Sequence, residues 1–297
     1  MHPKGTYRRG MAAQTFVLFH LPKCYEGNGV NQSLHVEVMR RLVILTSMDR
    51  GLASLALPRL KETHDLAGII KVEQTGGQKS GLRRKLKKVG QIGLLGALNG
   101  IRIRPWFMEE PMARLGIRSL EEVARECGVP IHRVPFTNTP ETIEAMQSLA
   151  PEIGISLGNS FISRSVFSIP SLGMINIHHE VLPEYKGAQS VVWQLFNGST
   201  QTGYTIHKVN DKIDGGDILS VERRPIKFGR DLHETVVRSV ADIYAASVDG
   251  LLHTLDGFEE LARSTRPQVN TASYTTPSIW QFLRMVRQHR KLALPRR

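Results

Sequence analysis

The sequence predicts an α/β domain built on a mostly parallel sheet, followed by a short helical C-terminal extension. Short apolar runs alternate with capped helical segments from about residue 40 onward, and polar side chains gather at the end of one of these runs. No apolar run approaches the roughly 20 residues that a membrane-spanning helix needs, so an integral membrane protein is not expected.

The elements follow in order. Leu42 to Leu45 is the first apolar run, a helix-like stretch covers 52–62, and a second apolar run covers 66–72. This strand–helix–strand rhythm belongs to parallel sheets. Ser119 with Glu122 three residues on forms a capping box, and Gly128 closes that helix before Pro130 and a strand over 131–134. Thr139-Pro140-Glu141 opens the next helix, which runs to Leu149 and leads into a strand over 153–157. Strands follow at 174–178, 205–209 and 218–222, the later ones antiparallel. A helix over 190–196 is closed by Asn197-Gly198. Leu232, Val236, Val240, Ile243 and Ala246 mark a long amphipathic helix from Asp231 to Leu255. A polar stretch over 264–276 then precedes a final basic helix over 277–292. Three segments result: a poorly defined N-terminal extension over 1–38, which the sequence does not tie to the native protein, the α/β domain over 39–224, and the helical extension over 225–297.

At 41% hydrophobic and 22% charged, the 297 residues have an ordinary globular composition, which excludes general disorder. Cys24 and Cys127 are too few for a disulfide framework and wrongly spaced for a zinc knuckle, so a reducing compartment, the cytoplasm, is expected. The stretch 11–21 follows Arg8 and Arg9, but Gln14, Thr15 and His20 interrupt it, and it is not read as a secretory signal. The net charge is +12, and its distribution is uneven. Segment 79–104 holds eight basic residues and the last fourteen residues hold six; neither holds an acid, so the remainder is slightly negative.

Chemistry concentrates where Asn176 and His178 alternate with Ile175 and Ile177 at period two, placing both polar side chains on one face of a strand. A polar pair at a strand's C-terminal end faces the crevice where open α/β sheets bind ligands. Asp214 follows in an Asp-Gly-Gly turn, where glycine lets the backbone approach closely. An imidazole, an amide donor and a carboxylate suffice for acyl transfer. From spacing alone, hydrogen-bonded strand-end residues and a turn-forming Asp account for the pattern equally well.

The order Asn-x-His, Leu-Pro-x-Tyr-Lys-Gly (182–187), Thr-Gly-x-Thr-Ile-His (202–207) and Ile-Asp-Gly-Gly-Asp-Ile (213–218) resembles the signature of the formyltransferase superfamily that uses 10-formyltetrahydrofolate. The resemblance is strong over 153–221 and weaker back to residue 40. It implies a Rossmann-like formyltransferase domain, 10-formyltetrahydrofolate as co-substrate, no metal, and Asn176, His178 and Asp214 as the catalytic trio. It further implies that the pterin lies against Leu157, Gly158, Asn159, Phe161 and Ile162 on one side. Val209, Asn210, Asp211 and Ile213 take the other side, and Glu180, Pro183, Tyr185, Lys186 and Gly187 face the acceptor. Position 180 departs from the family, which often has a small residue there. His178, His179, Glu180 and His207 suggest a metal set, but alternating strand directions separate His178 from His179.

The segment 46–52 lacks the glycine-rich phosphate loop of the glycinamide ribonucleotide enzymes, which disfavours that substrate. The basic run 79–88 parallels an insertion in methionyl-tRNA formyltransferases, but the residues after 222 read as helical and do not resemble that enzyme's β-barrel. The whole pattern is most similar to bacterial formyltransferases of surface-polysaccharide sugars, implying a nucleotide-linked amino sugar as acceptor. A tRNA-directed enzyme and a formyl-folate hydrolase or folate-binding protein are the alternatives. Leu82, Leu86, Val89 and Gly93 recur at helical spacing among basic residues. That helix reads as a solvated flap, a site for acidic groups or a membrane-surface contact. The oligomeric state stays open, with a dimer compatible.

Overall fold

The computed structural model describes residues 39–74, 81–187, 189–269 and 273–293, with the backbone alone over 81–88. The N-terminal extension and residues 75–80, which include the first two residues of the basic insertion, lie outside these.

Strand β1 (Arg41–Thr46) reads Arg-Leu-Val-Ile-Leu-Thr, and its four central residues are fully buried. A run apolar on both faces is what a central parallel strand requires. Helix α1 (Leu52–Thr63) returns the chain to β2 (Asp65–Val72), parallel to β1. Helix α2 (Gly81–Ile103) turns sharply at Gly93, whose φ is 74°, and a 3-10 turn over Arg104–Phe107 leads into α3 (Glu109–Arg114). The expected capping box of Ser119 and Glu122 starts α4 (Leu120–Glu126), which precedes β3 (Ile131–Val134). Pro140 opens α5 (Pro140–Leu149), followed by β4 (Ile153–Ser156), α6 (Arg164–Phe167) and β5 (Met174–His178).

The next elements are a two-residue strand β6 (Lys186–Gly187), helix α7 (Val192–Phe196), β7 (Gln201–Lys208) and β8 (Ile218–Pro225). The C-terminal part comprises α8 (Leu232–Asp256), α9 (Phe258–Arg263), β9 (Ser273–Tyr274) and α10 (Ile279–Leu292). Seven strands form one sheet in the order β3-β2-β1-β4-β5-β7-β8, and β6 pairs with β9 apart from it. Strands β1 to β5 are mutually parallel, and β7 and β8 are antiparallel, as expected. The chain winds outward from β1 to β3 and then returns to β4 on the other side of β1. The C-terminal ends of β1 and β4 therefore diverge at a topological switch point, where ligand crevices form.

Both faces of the sheet are covered. Leu42 and Ile44 of β1 join α1, α4 and α8 in the larger core, while Val43 and Leu45 join Met146, Leu149 and Val166 from α5 and α6 on the opposite face. Several boundaries differ from the sequence reading. Strand β7 starts at Gln201, four residues early, because Gly203 lets β8 approach so closely that a Cβ there would lie 2.0 Å from the Glu222 carbonyl oxygen. Helix α7 starts at Val192 because Val191 sits at φ 75°, outside helical space. Residues 232–256 are not an appendage. Val236, Ile243, Leu251 and Leu255 of α8 are fully buried against the strands, so the division drawn at 224 cuts through one core. No described helix is long and apolar enough to cross a membrane.

Because α8 shares the core, Ile243→Ala should lower the unfolding free energy of the whole domain by about 2–5 kcal/mol. Denaturant melts followed by tryptophan fluorescence should show one shifted transition. An unmoved main transition preceded by a new one would show that α8 folds separately.

Candidate functional site

A cleft of about 760 Å³ opens at the C-terminal edge of the sheet, with Asn176, His178 and Asp214 in its lining. Strand β5 explains the first two: Ile175 and Ile177 enter the core, and Asn176 and His178 leave the other face. Asp214 reaches them from the 209–217 turn. Its own φ is 47°, and the turn closes at Gly216, where a Cβ would lie 1.7 Å from the Lys208 carbonyl oxygen. Only glycine fits that approach.

The Asn176 amide is held in one orientation. His207 Nδ1 lies 2.8 Å from the Lys208 carbonyl oxygen and Nε2 lies 3.2 Å from Asn176 Nδ2. Donation from Nδ1–H to the carbonyl leaves Nε2 as acceptor, so neutral His207 takes one amide hydrogen and leaves the second free. Burial supports this state by pushing the His207 pKa down to about 4.

His178 lies between two acceptors. Its Nδ1 is 3.6 Å from Asp214 Oδ1, and its Nε2 is 3.4 Å from the Tyr185 carbonyl oxygen. Burial lowers its pKa, opposed first by the Asp214 charge and then by the Tyr185 carbonyl. The ring is thus neutral at rest, with partners on both nitrogens for a proton it takes up. His179 alternates with His178 and lines the cleft beside Tyr244. Its ring packs edge-on against Tyr244 at 4.3 Å, its Nε2 has no partner among the described residues, and its pKa falls to about 3. Among the described residues no three His, Cys, Asp or Glu side chains cluster as metal ligands.

The other residues singled out in the sequence divide. Gly158, Asn159, Phe161, Ile162, Val209, Asn210 and Ile213 line the cleft. Leu157 is buried in the core beneath it, and Asp211 points outward, 4.0 Å from Arg164. On the remaining side Glu180 and Gly187 line the cleft, whereas Pro183, Tyr185 and Lys186 lie outside the lining. Tyr185 offers its carbonyl to His178 and stacks its ring on Tyr274 at 5.5 Å. The sequence reading missed a whole wall: Arg104, Phe107, Met108 and Met112 around the 3-10 turn and α3, with Val240 and Tyr244 from α8. Val240 was already legible as a core position, but no local signal brings α8 to the cleft.

The buried neutral histidines make stability depend on pH. His179 and His207 titrate near 6.5 when unfolded and near 3 and 4 when folded, so the unfolded chain binds more protons between these values. Their contribution is full above about pH 6.5 and is lost as pH falls toward 3. His179→Phe should flatten the acid limb of stability against pH by up to about 1.4 kcal/mol per pH unit, one proton's worth. Denaturant melts from pH 7 to 4 would reveal this, and an unchanged slope would contradict it.

Known proteins resemble the chain over part of its length. The sequence model of the formyl transferase family matches residues 135–247, the stretch that contains Asn176, His178 and Asp214. Methionyl-tRNA formyltransferase of Trichlorobacter lovleyi is 31% identical over 136 residues, 44% of this chain and 43% of that protein. The enzyme of the same name from Ruminiclostridium cellulolyticum is 31% identical over 169 residues, 56% and 52% of the two chains. The chain spans about half the length of these curated relatives. Phosphoribosylglycinamide formyltransferase from Bacillus halodurans matches in structure with a TM-score of 0.50 at 17% identity, over 75% of this chain and 97% of that one, which shows a shared fold. Residues 135–247 are thus similar to the formyl transferase family over the stretch that carries the candidate trio.

Proposed function

We propose that the protein is an N-formyltransferase that moves a formyl group from 10-formyltetrahydrofolate to the primary amine of a nucleotide-linked amino sugar. The convergence of Asn176, His178 and Asp214 on one cleft carries this reading. The donor supplies a formyl carbon bonded to N10. The residues around the 157–162 and 209–214 segments suit its pterin. Gly158 holds φ 78°, Asn159 Nδ2 ties the loop to the Leu45 carbonyl at 2.6 Å while its buried Oδ1 has no partner among the described residues, and Phe161 and Ile213 expose apolar surface beside them.

On this reading, Asn176 turns its free N–H toward the oxygen that gains charge, an orientation held by His207 before the reaction begins. His178 takes up the proton that the attacking amine loses as its C–N bond forms. The resulting imidazolium finds Asp214 on Nδ1 and the Tyr185 carbonyl on Nε2. Asp214 is a positioning and charge-balancing group, and the ring returns to neutral as the proton passes to the leaving nitrogen.

The acceptor side supports a compact anionic substrate. Phe107, Met108, Met112 and Val240 form an apolar wall, and Arg104 lies at its edge as a cation suited to a diphosphate. The sequence resemblance to sugar formyltransferases points the same way. A second reading, formylation of an aminoacyl-tRNA, is favoured by the methionyl-tRNA formyltransferases among the relatives. Incubation with 10-formyltetrahydrofolate and no acceptor, amino-sugar nucleotides or methionyl-tRNA separates these readings. Transfer to the amino sugar is expected. Preferential transfer to tRNA, with binding that falls about one log unit per log unit of salt for each phosphate neutralised, would favour the second reading. Turnover without any acceptor would favour a hydrolase.

Asn176→Ala should reduce kcat for formyl transfer about 10²–10³-fold. Tetrahydrofolate release measures this, and retention of most activity would defeat the assignment.

A further inference from the structure

We propose that Glu180 is the acceptor-amine site: its carboxyl receives the incoming ammonium group beside His178 and takes one proton from it, delivering a neutral amine to the formyl carbon. The inference rests on the formyl-transfer reading and extends it to a residue that departs from the family's usual small side chain.

Glu180 lies two residues beyond His178 and lines the same cleft, yet is only 4% exposed. Its main chain is fixed, its carbonyl oxygen accepting from Thr205 Oγ1 at 2.8 Å. Its carboxyl accepts from Gln194 Nε2 at 2.5 Å, and Gln194 Oε1 on the same side chain is buried without a partner among the described residues. Among the described residues no Lys, Arg or His forms an ion pair with it. A buried carboxylate without a counter-ion is costly, and such groups are normally paired. Burial therefore keeps the resting carboxyl protonated, and a primary ammonium group supplies at short range the counter-ion with which it can ionise.

The surroundings favour proton transfer within the pair. His178 and His179 adjoin Glu180 along the chain, His207 faces the cleft from β7, Asp214 from the 209–217 turn, Tyr244 from α8 and Arg104 from the rim. None of these charges offsets the burial that holds the carboxyl up to about 8, a shift opposed only by the Gln194 hydrogen bond. In a low-dielectric pocket, a carboxylic acid beside a neutral amine is favoured over a carboxylate beside an ammonium. As the ammonium arrives, the resting carboxyl gives its proton to solvent, and the step is then R–NH₃⁺ plus Glu180–COO⁻ giving R–NH₂ plus Glu180–COOH. One N–H bond breaks, one O–H bond forms, and the amine regains its lone pair. Glu180 ends the step in its resting, protonated form.

The test uses the full chain with 10-formyltetrahydrofolate and three amines: a dTDP-linked 3-amino-3,6-dideoxyhexose, its 4-amino isomer, and methionyl-tRNA. Whichever the unsubstituted protein formylates becomes the probe for Glu180→Gln. The variant should bind 5-formyltetrahydrofolate as the unsubstituted protein does, showing an intact fold and donor side. At pH 7 its kcat/KM for the amine should fall by about 100-fold. That loss should recover by about tenfold per pH unit as solvent deprotonates the amine, up to the amine's own pKa. A kcat/KM within threefold of the unsubstituted protein overturns the proposal, as does a loss that stays constant with pH. Loss of 5-formyltetrahydrofolate binding in both Glu180→Gln and Glu180→Ser assigns Glu180 a structural role and also overturns it. If the unsubstituted protein formylates none of the amines, the formyl-transfer reading itself fails, and this inference with it.

Discussion

Strand β5 is sealed by neighbours on both edges and by the core on one face, and it must still deliver two polar side chains into a cleft. The alternation of strand geometry meets that constraint: Ile175 and Ile177 anchor the strand, and the same rigidity fixes where Asn176 and His178 can point. The site depends on this. His207 enters because β7 pairs with β5 so that His207 sits opposite Asn176, and the turn after β7 brings Asp214 back over His178. A strand end that is locked in register does not need flexible side chains to find one another.

Burial then sets the chemical state of the groups it gathers. His178, His179 and His207 are all shifted toward neutrality, and Glu180 is shifted toward its protonated form. Desolvation is the first cause in each case. These four buried groups therefore hold little charge at rest. Charge created within the cleft during a reaction meets donors and acceptors already in place, rather than water that must reorganise.

Much of this was legible in the sequence because it is local. The parallel strands announce themselves as continuous apolar runs, since burial on both faces leaves no polar alternation to read, and Ser119 with Glu122 marks a helix start through hydrogen bonds within one turn. Asn176, His178 and Asp214 were legible through period-two spacing and the motifs around them. The far wall was not, because Phe107, Met112 and Tyr244 reach the cleft only when α3 and α8 dock on the sheet, and spacing along the chain carries no record of that docking. The motif residues Tyr185 and Lys186 illustrate the converse. Their positions are conspicuous in sequence, but Tyr185 meets His178 through its backbone, and Lys186 is spent in a two-residue pairing with β9.

The Lys208 carbonyl oxygen has two neighbours of different kinds. It accepts from His207 Nδ1, and Gly216 passes against it with no room for a side chain. The tautomer of a ring and the path of a loop are thus referenced to one backbone atom. Asn176 takes its aim from that ring, and Asp214 rides on that loop. The two sides of the trio share a common datum, so a shift of the backbone at 208 moves amide and carboxylate together.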